Sequence, residues 1–509
     1  MANLTAIGHI ARLASAGLVM AREGVFAGVD AELLPPIARP ALGLLKLIGR
    51  KRAGIHGLSR AMEKLGPSYV KLGQFLATRP DIVSMAVARE LERLQDRVAP
   101  LPREVAVKRI EAAFQAPLET VFLEFGDSVA AASIAQVHRA KVVDVAGVTR
   151  DIAVKVLRPG VERRLHRDLA DMFFAAQLAE DWLPDARRLR PVQVVETLAR
   201  SVRMEMDFRL EAAAADEYGE NLKRDPDFRA PKIDWDHTTR EVLAMEWIEG
   251  VPLSDPERLK AQGLDIARLG QKLIQSFLTH ALRDGFFHAD MHQGNFLVDA
   301  EGRIVALDFG IMGRLGRAER RFLAEILYGF IRRDYLRVAE VHFEAGYVPK
   351  HYRVEDFAQA VRAIGEPIHA RPADQISMAR LLTLLFEVTA LFDMQTRTEL
   401  VLLQKTMVVV EGVARKLDPH LNMWATAEPV VGEWIAENLG PKGRLEDLGA
   451  KLRDFGRALA ETPAHIEQFR RAMEAIEKKQ FSKLDRQVSM ALWVVAAVLI
   501  WIAIRLSVR

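Results

Sequence analysis

The sequence predicts an α+β fold in two lobes, helical at first, strand-rich from about residue 120, and helical again beyond about residue 260. Two stretches carry that expectation. The apolar, β-branched run Asp151-Ile-Ala-Val-Lys-Val-Leu157 sets one lysine, Lys155, in the middle of a strand. Farther on, Phe296-Leu-Val298 and Arg303-Ile-Val-Ala-Leu307 flank a turn at Asp299-Ala-Glu-Gly302 and read as a hairpin.

Composition sets the outer bounds. At 509 residues, half of them apolar and 27% charged, the chain has room for a large two-lobed enzyme with additions. A net charge of +3 supplies no general field for nucleic acid, so no nucleic-acid partner is expected. The absence of cysteine excludes disulfides, thiolate catalysis and cysteine-ligated zinc.

From the N-terminus, Leu4, Ile7, Ile10 and Leu13 recur at helical spacing. His9 and Arg12 lie inside this pattern and not ahead of it, which is unlike a secretory signal. An amphipathic helix packed on the main body is expected, with membrane-surface contact as the alternative. Residues 51–119 read as a helical extension in which Gly66-Pro67 ends one helix and starts another. On it Lys71, Gly73, Gln74 and Thr78 fall close together at helical spacing. Residues 120–250 would form the strand-rich lobe, with strands at Thr120–Phe125 and around Lys155 and helix over Glu205–Glu211; residues 251–485 would form the helical lobe.

The chemistry is concentrated in His288-Ala-Asp-Met-His-Gln-Gly-Asn295, the hairpin, and Asp308-Phe-Gly310. Phosphoryl transfer asks a protein mainly for positioned metal ions and an oriented nucleophile. One carboxylate near the acceptor, Asp290, with Asn295 and Asp308 on magnesium would supply both. The order H-x-D-x-x-x-x-N, hairpin, D-F-G is that of a protein-kinase site. His288 and His292, four apart, are poorer zinc ligands, because no catalytic Glu accompanies them and the segment is a loop. Lys155 on its apolar strand is costly unless paired, and fits a role on ATP phosphates with Glu205 or Glu211 as partner. Ahead of it stands Val129-Ala130-Ala131-Ala132-Ser133-Ile134-Ala135-Gln136-Val137, where a glycine-rich phosphate loop would lie. Alanine disfavours positive φ, so this loop must follow a different path over the phosphates. The strand and turn at Glu241–Gly250 resemble the hinge between kinase lobes, with Met245 as gatekeeper and Glu246 beside it. After Gly310 no Ala-Pro-Glu signal follows, so a peptide-binding activation segment is not expected.

With these pieces in order, the sequence resembles the UbiB/ADCK family of atypical kinases over residues 60–320. Its K-x-G-Q motif is Lys71, Gly73 and Gln74, its alanine loop Ala130-Ala-Ala-Ser133, and its E-x-D motif Glu205 and Asp207. The helix glutamate of the family falls on Glu211. The resemblance implies a protein-kinase-like fold with the K-x-G-Q extension across the usual peptide cleft. It also implies ATP and Mg2+ as cofactors, and a role in ubiquinone biosynthesis among other proteins of that pathway, with membrane lipid or quinone precursors as partners. Gln293 departs from the proline usual at this position. The catalytic loop also resembles that of aminoglycoside phosphotransferases, which keeps a small-molecule kinase open. The covered cleft keeps a nucleotide-gated scaffold open.

Val488 to Ile504 carries no charge, and its seventeen residues reach the short end of the ~17–25 that span a bilayer. A transmembrane anchor over 486–506 is therefore expected. Lys478, Lys479, Lys483 and Arg486 precede the run, so the catalytic body would lie on the cytoplasmic side of the inner membrane. Bacterial members of the family often end in two such spans, and this chain shows one.

Overall fold

The computed structural model describes residues 2–28, 39–49, 57–77, 85–91, 99–144, 146–182, 190–369 and 398–440, with a few positions between them. Contacts group the chain into Met1–Val430, which holds both lobes, and Val431–Arg509.

Helices α1 (Ala2–Arg22), α2 (Arg39–Gly49), α3 (Gly57–Leu65), α4 (Pro67–Ala77) and α5 (Met85–Leu91) form the N-terminal part. Gly66 takes φ +99°, which a side chain would resist, and Pro67 opens the next helix as the sequence predicts. Gly73 is required for a different reason. A Cβ there would stand 2.2 Å from Leu94 and 2.5 Å from the Met62 sulfur, so α4 can approach its neighbours only without one. Gly73→Ala is expected to cost about 1–3 kcal/mol through overpacking, read as a lowered denaturation midpoint. An unchanged midpoint would mean that this contact is not made in solution.

After α6 (Arg103–Phe114) comes a short helical turn, α7 (Leu118–Val121). Here the expected strand at Thr120–Phe125 is corrected. Pro117 starts a turn, Thr120 Oγ1 bonds the Pro117 carbonyl, and the buried side chains of Leu118 and Phe122 hold it in place. The strand begins at Glu124. Strands β1 (Glu124–Ala131), β2 (Ala135–Val143) and β3 (Thr149–Leu157) are followed by α8 (Val161–Trp182), α9 (Pro191–Glu205) and α10 (Phe208–Leu222), then β4 (Phe228–Arg229) and β5 (Val242–Glu246). β1, β2, β3 and β5 pair in that order as an antiparallel sheet. One face of the sheet is covered by α6 and Phe122, the other by α8, α9 and α10. The single helix expected over Glu205–Glu211 is two. Asp207 caps the second, accepting from the Arg209 N–H at 3.2 Å, which is the usual use of Asp at this position.

The second lobe opens with β6 (Val251–Pro252), α11 (Pro256–Ala261) and α12 (Ile266–Thr279), which runs into a π-helical turn at His280–Asp284. Strand β7 (Phe286–His288), the hairpin β8 (Phe296–Val298) and β9 (Ile304–Ala306), and β10 (Met312–Arg314) follow. β7 pairs with β10 and β8 with β9 in two separate sheets, Asp290 following β7 and Asp308 following β9, and His288 joins them by bonding the Asp308 carbonyl and the Asp290 N–H. The hairpin matches the sequence reading. Helices α13 (Arg317–Arg332), α14 (Tyr335–Glu344), α15 (Val354–His369), α16 (Thr398–Leu417) and α17 (Met423–Asn438) complete the described chain. Among the described residues no helix is long and apolar enough to cross a membrane, and the run at 488–504 lies outside them, as does Thr78.

Candidate active site

Lys155 projects from β3 with its Nζ 2.7 Å from Glu211 Oε1 and 3.6 Å from Asp308 Oδ2. Of the two candidate partners, the structure selects Glu211. The break at Asp207 starts a new helix, α10, whose buried face carries Glu211, Ala212, Ala215, Tyr218 and Leu222 at helical spacing. Glu205, at the end of α9, pairs instead with Lys71, at 2.8 Å. The K-x-G-Q and E-x-D motifs therefore meet through Lys71 and Glu205, while Asp207 is occupied as a cap and holds the Arg209 guanidinium at 2.7 and 2.9 Å. Gln74 is half-buried one helical turn beyond Lys71.

Burial pushes the Glu211 carboxyl above its ordinary range, opposed by Lys155 beside it. Asp308 behaves oppositely. Desolvation would raise it, but Lys155, the Gly310 N–H at 2.9 Å, His288 and Lys71 together bring it down to about 2. About half of its side-chain surface remains open, so these neighbours and not depth set its charge. Asp308 is a carboxylate throughout the neutral range.

The loop from His288 to Asn295 is held by side-chain hydrogen bonds. His288 Nε2 donates to the Asp308 carbonyl at 2.5 Å, and its Nδ1 accepts from the Asp290 N–H at 3.1 Å. Burial lowers its basicity, in keeping with this neutral tautomer. Both ring nitrogens of His288 are thereby used, and His292 Nδ1 accepts from the Gly294 N–H at 3.2 Å. Asn295 Nδ2 donates to the Asp290 carbonyl at 3.0 Å and to Asp290 Oδ2 at 2.9 Å. That leaves the Asn295 amide oxygen for a cation.

No cluster of three or more His, Cys, Asp or Glu suited to a metal occurs among the described residues. This donor set fits magnesium nonetheless. Mg2+ is commonly held by one or two protein oxygens with the rest of its shell from phosphate and water, and Asn295 with Asp308 offers that number.

The alanine stretch divides between two strands. Val129–Ala131 end β1, Ala132-Ser133-Ile134 form the connection, and Ala135–Val137 begin β2, with the Ala132 N–H on the Ala135 carbonyl at 2.8 Å. Val137 pairs directly with Lys155, and Ala130 with Val137, so these three share one face of the sheet. Gln136 points the other way: its amide bonds the Leu101 backbone at 3.0 Å and His138 at 2.8 Å. Ile134 and Ala135 are buried in the apolar layer beneath α8 and α9. Met245 is paired with Ala153 and buried in that same layer. The Glu246 side chain is held by Arg229 at 3.0 Å and the Lys232 N–H at 3.2 Å, and its own N–H bonds the Lys232 carbonyl.

Several supporting residues were not read from sequence. Tyr218 on α10 meets His280 Nδ1 at 2.9 Å, while its ring contacts His288 and Phe309. His280 Nε2 reaches Asp225 at 3.1 Å, and Arg283 clasps the same carboxylate at 2.8 and 2.9 Å. The helix bearing Glu211 is thus tied to the turn that leads into β7. The Thr406 hydroxyl on α16 shares its one proton between the Leu402 carbonyl at 2.8 Å and the Ala289 carbonyl at 3.0 Å, next to Asp290. Tyr218 was legible as part of a buried stripe; for Thr406 no local signal exists.

A model described as ABC1 atypical kinase-like domain matches residues 93–342, and one described as UbiB helical domain matches 361–422. The first span takes in every residue from Lys155 to Asp308 discussed above and leaves Lys71–Gln74 before it. A protein of Marinobacter nauticus with the name "Probable protein kinase UbiB" is 41% identical over 411 residues, 80% of this chain and 74% of that one. A solved structure of a Mycobacterium tuberculosis protein with erythromycin is 23% identical, with a TM-score of 0.48, covering 77% of this chain and 96% of that one.

Proposed function

The chain belongs to the UbiB family of ABC1-type atypical kinases, and from that premise we propose that it binds and turns over ATP with magnesium to support ubiquinone biosynthesis at a membrane. The observation that carries the chemistry is Lys155, set between Glu211 at 2.7 Å and Asp308 at 3.6 Å. Lys155 would hold the α- and β-phosphates and Glu211 would hold Lys155. The alanine turn, with Ala130 and Val137 beneath it, would cover the phosphates, and Met245 would back the adenine. Asn295 and Asp308 would hold magnesium, which when bound neutralises charge on the phosphates. Asp290, fixed by Asn295, would orient the acceptor or take its proton. We further propose a single C-terminal span over 486–506 with the catalytic body in the cytoplasm, the boundaries 1–50, 51–119, 120–250 and 251–485 for the remaining parts, and quinone precursors and other biosynthetic proteins as partners.

Quinone profiling of cells whose only copy carries Asp290→Asn tests this reading. Ubiquinone should fall and one precursor should accumulate; a normal quinone profile would defeat it. One observation favours a second reading. The Lys71–Glu205 pair lies close enough to the nucleotide site for Lys71 to act on Asp308, which suits a nucleotide-gated scaffold. A variant that binds ATP without hydrolysing it would then still support synthesis, and loss of synthesis would exclude the scaffold.

A further inference from the structure

The N-terminal helix docks on the body as expected, but by one side only. His9 and Arg12 converge on the buried Asp171 of α8, with Arg12 bidentate at 2.7 Å on each oxygen. On the side away from these contacts α1 leaves a stripe at i, i+3, i+4, i+7 and i+11 that is apolar and uncovered; Ile7 is 63% exposed, Ile10 56% and Leu18 37%. Helix α2 packs beside α1 and does the same, with Leu44 61% exposed, Leu47 65% and Ile48 42%. Large apolar side chains this exposed on two neighbouring helices mark a docking surface.

Charge selects the occupant. Helices α1 and α2 carry four cations, Arg12, Arg22, Arg39 and Lys46, and neither Asp nor Glu; Arg12 is taken up by Asp171, and Arg22, Arg39 and Lys46 are the remaining ones. Glu23, Asp30 and Glu32 belong to the segment between them, and Glu23 is buried against Arg60 and Lys64. An apolar stripe on two helices that bear cations and no carboxylate suits the interface of an anionic bilayer, where the stripe enters the acyl boundary and cations such as Arg22, Arg39 and Lys46 meet lipid phosphate. A second copy of the chain would bring an equally basic surface against this one, which repulsion disfavours.

We propose that the exposed faces of α1 and α2 rest on an anionic membrane surface, as an attachment separate from the C-terminal run. The proposal extends the membrane location proposed above and can fail without it.

The chain contains no cysteine, so Leu44→Cys and Leu47→Cys can each be labelled at one place with an environment-sensitive dye, with Glu355→Cys as a distant control. The full chain is reconstituted in phosphatidylcholine vesicles with or without phosphatidylglycerol. The expected result is a blue shift at 44 and 47 with loss of iodide quenching on phosphatidylglycerol vesicles, weaker in high salt, and no change at 355. Water-like emission at 44 and 47 in chains that nevertheless float with vesicles would overturn the inference and leave the C-terminal anchor standing. Concentration-dependent shielding without vesicles would assign the face to a second copy and also overturn it. Failure of the whole chain to float would remove both this attachment and the membrane location.

Discussion

Asp308→Asn is expected to lower ATP turnover by about two to three orders of magnitude, the range seen when one preorganised group facing transition-state charge is removed. The substitution keeps size and an oxygen for the Gly310 N–H, so the loop should hold its path. What it removes is the full negative charge kept by Lys155, Gly310, His288 and Lys71. The Lys155–Glu211 pair at 2.7 Å survives it, so the fold should melt close to the parent temperature. Steady-state ATP hydrolysis with a parallel thermal melt decides the matter. Unimpaired turnover would remove Asp308 from the chemistry, and a collapsed melt would move the effect to stability.

Asp225→Asn should act through stability, costing about 2–3 kcal/mol. Burial opposes ionisation of Asp225, but the His280 and Arg283 hydrogen bonds prevail and hold the acid well below the ordinary carboxylate range. The sign follows from that depression. An acid whose folded pKa lies below its unfolded one stabilises the fold fully above the unfolded value, about 4, and loses the contribution as pH falls beneath it. The gap in melting temperature between parent and variant should therefore be full near neutrality and should close in acid. A gap that is flat with pH would show that the carboxylate charge is not what matters. Because Asp225 also fixes the turn before β7, turnover should fall in the variant even at temperatures where it remains folded.

The legible part of the molecule was the part written in short spacings. Asp290, Asn295 and Asp308 are joined by a hairpin of few residues, so their order alone predicted their meeting. Lys155 was legible because a charge on an apolar strand demands a partner. Spacing alone left Glu205 and Glu211 both open, and only the family resemblance pointed to Glu211; the physical reason is the break at Asp207, where a cap outweighed helix continuation. Thr120–Leu123 misled because β-branched and aromatic residues suit a strand, while the preceding proline and burial of Leu118 and Phe122 imposed a turn. Gln136 was grouped with the phosphate loop by proximity in sequence, yet pleating turns every second side chain away. The contacts of Tyr218 with His280 and of Thr406 with Ala289 join residues 62 and 117 apart, beyond any local pattern. For the N-terminal helix, the spacing of Ile7 and Ile10 was visible, but not which side met the body; that was decided by Asp171 far along the chain.

The contact of Thr406 with the Ala289 carbonyl joins the helical domain to the residue next to Asp290, so that domain is no mere appendage to the site. A chain cut after residue 342 would keep Lys155, Glu211, Asp290, Asn295 and Asp308 while losing the contact behind Asp290, so its rates would be a poor measure of the whole chain's.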